Sequence, residues 1–281
     1  MRVLVTGSSG RIGQAVVHRL AREHRVTGLD QVPGPDTQVI ANVCDGDLLD
    51  QLCSQVDAVV HTAALHAPHV GQASEDEFRR TNVDGTRKLV DACVRAGHSR
   101  LVLTSTTSVY GDAMVDPDRA VWVDESLPPK PRDIYDQTKL AAEDLCREAG
   151  NHGLSCISLR MSRCFPEPEH LVALYRLYRG VDQRDVAEAH SLALNAELEG
   201  FHVFNVSARS PFRQADLEQL SRQPAQVIER CSPGAVCEFQ TRRWPLPERI
   251  DRVYAIDRAA EQLGYQPRFN FEWFMAQPWA A

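Results

Sequence analysis

The chain has 281 residues, 43% of them hydrophobic and 25% charged, with a formal net charge of −7. That composition supplies a buried core and excludes wholesale disorder, and an acidic chain without a basic block is a poor ligand for the phosphates of nucleic acid. Mean hydropathy is −0.33, and apolar runs such as Val3–Val5 are far shorter than the ~18 residues of a membrane span.

Taken in order, apolar runs alternate with helical patterns. Strands are predicted at Arg2–Thr6, Arg25–Leu29, Val39–Val43, Ala58–His61, Leu101–Thr104, Ser155–Leu159 and His202–Val206. Helices are predicted at Gly13–Glu23, Asp47–Ser54, Glu75–Ala96, Asp133–Ala149 and Val186–Leu198. This alternation defines an α/β protein with a Rossmann-type, doubly wound parallel sheet. The pattern loosens after Arg160, and prolines at 211, 224, 233, 245, 247, 267 and 278 mark a small irregular C-terminal region. The expected division is a dinucleotide domain over 1–160, with 182–207 returning to it, and a substrate region made of 161–181 and 208–281. Residues 112–134, with Trp122 and Pro128, Pro129 and Pro131, read as a long stiffened loop and a partial lid.

The opening of the chain shows no apolar leader segment, since Thr6-Gly7-Ser8-Ser9-Gly10 follows only three apolar residues. The eight cysteines form no Cys-x-x-Cys pair. Reduced, mostly buried thiols in a cytoplasmic protein are therefore expected, rather than disulfides or a metal site. His61, His66 and His69 cluster after the fourth strand but lack an obvious further ligand, so they read as cleft-lining groups.

Gly7-Ser8-Ser9-Gly10-Arg11-Ile12-Gly13 lies between a strand and a helix. Gly7 permits the turn, Gly10 lets backbone approach a pyrophosphate, and Gly13 lets the helix pack on the strand; the helix N-terminus then faces the phosphates. Ser9, Arg11 and Ile12 belong to the same cradle. Asp30 closes the second strand, where a carboxylate accepts bonds from the adenosine ribose and repels a 2′-phosphate. NAD is thus favoured over NADP, although Arg11 could meet a phosphate instead.

Tyr135 and Lys139 stand four apart on a predicted helix and share a face. A neighbouring ammonium favours the phenolate, so the pair suits proton transfer to or from an alcohol or carbonyl; a solvated surface pair is the bland alternative. The strand ending in Thr104-Ser105-Thr106-Thr107-Ser108 places hydroxyls where ligands of parallel sheets bind. Some of these hydroxyls only satisfy the turn.

These motifs resemble the extended short-chain dehydrogenase/reductase superfamily, in its NAD-dependent epimerase/dehydratase group. The resemblance rests on residues 7–13, His61-Thr62-Ala63-Ala64, Asn82 in TNVDGT, STTSVYG at 105–111 and Tyr135-Asp136-Gln137-Thr138-Lys139. It continues through Arg160, RDVAEAH at 184–190, FNVS at 204–207 and LGYQP at 263–267. It implies Tyr135 as general acid/base, Lys139 as the group that holds the nicotinamide ribose and lowers the tyrosine pKa, and Thr106 as the catalytic hydroxyl. It further implies Ala63 and Ala64 along the dinucleotide, Asn42-Val43 at the adenine, and a homodimer through the helices at 75–96 and 133–149.

The short stretch from 160 to 186 resembles uronate dehydrogenases, which oxidise a hexuronic acid at C1 with NAD. Arg163, Arg176 and Arg179 are the candidates to meet a carboxylate, with His66, His69 and Ser105 as further polar contacts; for Arg176 and Arg179 a solvated-helix role is equally open. The expected function is NAD-dependent hydride transfer on a small hydroxyl or carbonyl compound, a sugar or sugar acid. A nucleotide-sugar epimerase or dehydratase with retained NAD, and a non-catalytic dinucleotide sensor, are the competing readings.

Overall fold

The computed structural model describes residues 1–277; positions 278–281, including Pro278 of the expected C-terminal region, lie outside the described residues. Nine strands are found among them: β1 (Arg2–Thr6), β2 (Arg25–Asp30), β3 (Val39–Ile40), β4 (Ala58–His61), β5 (Arg100–Thr106), β6 (Val121–Val123), β7 (Ser155–Met161), β8 (Phe201–Val206) and β9 (Arg252–Tyr254). Seven form one sheet in the order β3-β2-β1-β4-β5-β7-β8, paired in parallel wherever they are joined. The order reverses at β1, so β1 and β4 splay their following loops apart and open a crevice at their carboxyl ends.

β1, β4 and β5 are continuous apolar runs because both faces are covered. On one face the helices Arg11–Leu20 and Gln183–Asn195 pack with Val3, Val5, Val60 and Phe204. On the other, Gly46–Cys53, Gly85–Arg95 and Ile134–Gly150 enclose Leu4, Val59, Leu101 and Leu103. A third cluster, with Leu177, Phe212, Phe239, Ile250 and Val253, gives the C-terminal region a core of its own.

The predicted long helix at 75–96 is one helical path with a π-helical stretch, Arg79–Asp84, inside it. Asn82 sits there, fully buried, and its amide reaches across to Leu65 and Thr138. Such bulges re-aim a side chain, which periodicity alone does not reveal. The C-terminal prolines stand at helix starts and between short helices; Pro224, for example, opens Pro224–Cys231. The segment 112–134, expected as a stiffened loop, is tied to the C-terminal region. β6 within it pairs with β9, and Asp112 N–H donates to the Lys130 carbonyl at 2.9 Å. Among the described residues no helix is long and apolar enough to cross a membrane.

Candidate active site

A single cleft of about 910 Å³ runs along the carboxyl ends of β1, β2, β4 and β5, and all the residues expected to hold cofactor or reacting groups line it. At one end lies the glycine turn. Gly7 has φ +75°, and a Cβ there would stand 2.6 Å from the Ala63 nitrogen. A Cβ on Gly13 would stand 1.9 Å from the Gly7 carbonyl oxygen. Only glycine allows this turn to close so tightly against β4 and the first helix. Gly10 forms the N-cap of that ten-residue helix with no side-chain cap, which leaves its first amides facing the cleft.

Asp30 is aimed by backbone: its carboxylate accepts from Ser9 N–H at 3.0 Å and Val32 N–H at 2.9 Å. Ser9 itself turns away, donating its hydroxyl to the Val32 carbonyl at 2.6 Å, so its role is to shape the turn. Asn42 lines the cleft, but its Oδ1 accepts from Cys44 N–H at 2.9 Å, and one lone pair remains for a ligand. Arg11 lines the cleft beside Cys164, and Val43, Ile12, Ala63 and Ala64 supply apolar wall and backbone. These residues fit a dinucleotide: a backbone cradle for the pyrophosphate, a fixed carboxylate for ribose hydroxyls and an apolar slot for a base.

Midway along, Tyr135 and Lys139 project from the helix Ile134–Gly150, whose N-cap is Asp133. Burial pushes the Tyr135 phenol up to about 12, with the Thr106 hydroxyl as the hydrogen-bonding partner that draws it back. Lys139 is 3% exposed and burial lowers it to about 8, against a raising effect of Glu143. Without the cofactor, desolvation dominates at Tyr135, and the Lys139 ammonium is answered by Glu143 behind it. Thr106 is held by Ser108, through hydroxyls 3.0 Å apart and a backbone N–H at 3.1 Å.

Ser105, expected as a substrate contact, lines the cleft and is also engaged from behind. Its hydroxyl donates to Glu143 Oε1 at 2.5 Å, because strand alternation turns it away from the neighbouring Thr106. Glu143 was not found in the sequence reading. It is fully buried and also accepts from Ser158 Oγ at 3.2 Å and from Arg160 at 2.6 Å. Arg160 in turn covers the Tyr110 ring at 4.8 Å, and Tyr110 donates to Asn205 Oδ1 at 2.8 Å. The resemblance had marked Arg160 and Asn205; this buried network is what they build.

The far end of the cleft is cationic. Arg132, Arg163, Arg179 and Arg252 line it, and Asp30 at the opposite end is the one carboxylate among the described lining residues. Arg163 donates to Glu167 at 2.6 Å, and Arg252 pairs with Asp251. Arg179 stacks on Tyr175 at 4.2 Å, and its buried Nε has no hydrogen-bond partner. Arg176 does not reach the cleft: it is 6% exposed and bound to Asp182 at 2.8 Å. Arg252 and Arg132 escaped the sequence reading, since only tertiary pairing of β9 with β6 and the helix start at Ile134 brings them here.

His66 and His69 line the cleft edge-to-face with ring centroids 4.4 Å apart, and His69 Nδ1 accepts from His66 N–H at 3.0 Å. His61 is a core residue, wedged between Thr6 Oγ1 at 2.7 Å and Thr86 Oγ1 at 3.0 Å.

A crevice at the switch of a parallel sheet, with a glycine cradle at one end and a part-buried tyrosine and a buried lysine on one helix at its middle, defines a dinucleotide-dependent oxidoreductase of the extended short-chain dehydrogenase type. The family model for the NAD dependent epimerase/dehydratase family matches residues 3–172, and the chain belongs to that family, with NAD as its cofactor. A dTDP-glucose 4,6-dehydratase of Streptomyces antibioticus is 28% identical over 96% of this chain and 89% of its own length. A 3-beta-hydroxysteroid dehydrogenase of Mycolicibacterium neoaurum is 34% identical over 57% of this chain, a match spanning 47% of that relative. Among solved structures, MoeE5 in complex with UDP-glucuronic acid and NAD is 25% identical, with a TM-score of 0.72 over 98% of this chain and 97% of its own.

Proposed function

We propose that this chain catalyses NAD-dependent oxidation of a hydroxyl, or reduction of the matching carbonyl, on a small anionic sugar, a sugar acid being the best fit. The carrying observation is the charge of the cleft: cationic arginines gather at its substrate end in a protein whose net charge is −7. A guanidinium fork suits a carboxylate, and a concentrated positive field inside a low-dielectric cleft draws anions. Bound NAD supplies the hydride acceptor or donor. In this reading Thr106 and Tyr135 hold the reacting oxygen, and Tyr135 takes or returns its proton. Lys139 places positive charge beneath the phenol, adding to that of the oxidised cofactor, and so counters the cost of burying a phenolate. Glu143 and Arg160 fix Lys139 and β5 from behind.

The near full-length similarity to a dehydratase favours a second reading, in which the hydride is returned and NAD stays bound. Eliminating water from a sugar also needs an acid and a base beside the ring, and the carboxylates nearest the substrate end, Glu167, Asp251 and Asp136, stand behind the lining and are engaged in ion pairs with its arginines. That observation supports net dehydrogenation.

The same proposal assigns 161–181 and 208–277 to the substrate side, pairs two copies through the helices at 75–96 and 133–149, and places the enzyme in the cytoplasm. Absorbance of NADH, followed with hexuronic acids, aldoses and polyols, tests the activity. Sustained NADH with the acids alone supports it. A flat trace, with NAD recovered from denatured protein, replaces it with internal redox chemistry. Sedimentation velocity reads the dimer.

A further inference from the structure

On the far side of the molecule from the cleft, the helix Gly46–Cys53 and the helix Gly85–Arg95 bring their last turns together under the loop that leads into β5. Cys53 and Cys93 meet there at 1% and 0% exposure, and His98 from the loop closes over them at 8%. One ligand atom from each of the three lies within 4.8 Å of the others. His98 carries the more telling detail. Its Nε2 is 2.8 Å from the Cys53 carbonyl oxygen, so Nε2 carries the proton and donates it. That tautomer leaves a lone pair on Nδ1, and Nδ1 is buried with no hydrogen-bond partner. A buried nitrogen lone pair facing no donor is costly unless a ligand takes it up. Imidazole with one nitrogen fixed by a backbone carbonyl and the other free is the arrangement found where histidine binds metal.

We propose that Cys53, Cys93 and His98 form a binding site for a thiophilic divalent cation, with Zn²⁺ as its natural class. Two thiolates and a neutral imidazole around a divalent ion leave no net charge in an apolar core, whereas a monovalent ion would leave a buried anion. Tetrahedral zinc with Zn–S about 2.3 Å and Zn–N about 2.0 Å sets ligand atoms roughly 3.5–3.8 Å apart, so a pair at the 4.8 Å limit closes by about 1.0–1.3 Å. Nothing in the chain order suggests it, because the ligands stand 40 and 5 residues apart, outside any local zinc spacing. The ion would tie two helix ends to the start of a central strand, so its effect falls on stability and not on the chemistry of the cleft.

The test uses the full chain with Cys44, Cys231 and Cys237, the cysteines that are not buried, replaced by serine, reduced and stripped with chelator. Titration with Co²⁺ should give thiolate-to-cobalt charge-transfer bands that saturate at one ion per chain and are displaced by Zn²⁺. Zn²⁺ should raise the melting temperature of this protein by several degrees. In His98→Asn and Cys93→Ala, folded by circular dichroism, the bands and the thermal shift should both be lost. Absence of the bands in the reduced protein, their persistence in either variant, or recovery of Cys53 and Cys93 as a disulfide with no metal taken up, each overturns the site.

Discussion

The two ends of the cleft are built by opposite strategies. The dinucleotide end is made from neighbours in sequence and from backbone: the Gly7–Gly13 turn, the amides that aim Asp30, and the apolar wall at Val43 and Ala63. The substrate end is made from side chains that come from 132, 163, 179 and 252 and meet only when β6 and β9 pair and the third core forms. A shared ligand is read by a local motif, whereas a particular ligand is read by convergence of distant charges.

The sharpest way to break this comparison is to disable the chemistry between the two ends while leaving both intact. Tyr135→Phe removes one hydroxyl, and kcat should fall about 10³-fold with NAD binding by fluorescence quenching unchanged. Turnover within tenfold of the parent would remove Tyr135 from the reaction. Next in size is the support behind it. Glu143→Ala leaves Arg160, at 4% exposure, as an uncompensated buried charge, and should cost about 3–5 kcal/mol in urea denaturation. A loss under about 1 kcal/mol would mean that the network is not holding the site.

A pH effect follows from the buried histidines. Burial lowers His61 to about 3 and His190 to about 4, so both stay neutral in the fold while the unfolded chain protonates them near 6.5. Their contribution is complete above pH 6.5 and is lost as pH falls toward 4, at about 1.4 kcal/mol per unit for each group. Denaturation at pH 7.5 and 5.5 should show the loss, and His190→Gln, which meets Thr104 and Val186 at the same place, should roughly halve it. In the acid part of that window Glu125, Asp136 and Asp185, raised by burial, act in the opposite sense.

The substrate end is probed by Arg179→Met, which keeps the stacking volume on Tyr175 and removes the fork. KM for a sugar acid should rise about 10- to 100-fold with kcat little changed, as for a charge-assisted hydrogen bond. An equal loss with neutral sugars would point to a collapsed wall rather than a missing charge.

What could be read from the chain follows the same division. The sheet, the glycine turn and the Tyr135–Lys139 register come from local periodicity, and they lie where the sequence implies. Ser105 was assigned to substrate, and its bond to Glu143 is a second partner that the motif does not reveal. Arg176 and Arg179 are three apart and looked alike, yet one is buried against Asp182 and the other lines the cleft. Arg252 carried no signal at all, since its place depends on a two-strand pairing between segments about 130 residues apart. Burial raises the Tyr135 phenol in the cofactor-free cleft, an effect that spacing does not encode.

The smallest predicted effect tests the dinucleotide end itself. Asp30 is held by two backbone amides, so it cannot swing away from a 2′-phosphate, and rejection of NADP rests on charge rather than on space. Asp30→Asn keeps the size and can still meet those amides through its carbonyl oxygen, but it removes the negative charge. Arg11 then stands in the same cleft as an available partner for an added phosphate. The ratio of kcat/KM for NAD over NADP should therefore fall by roughly tenfold, the scale of one removed charge contact of about 1.4 kcal/mol. The change should appear in KM for NADP, with kcat near the parent value, because the adenosine ribose is remote from Tyr135. An unchanged ratio would mean that the surrounding backbone, and not the carboxylate, selects the cofactor, which would make this end of the cleft a matter of shape alone.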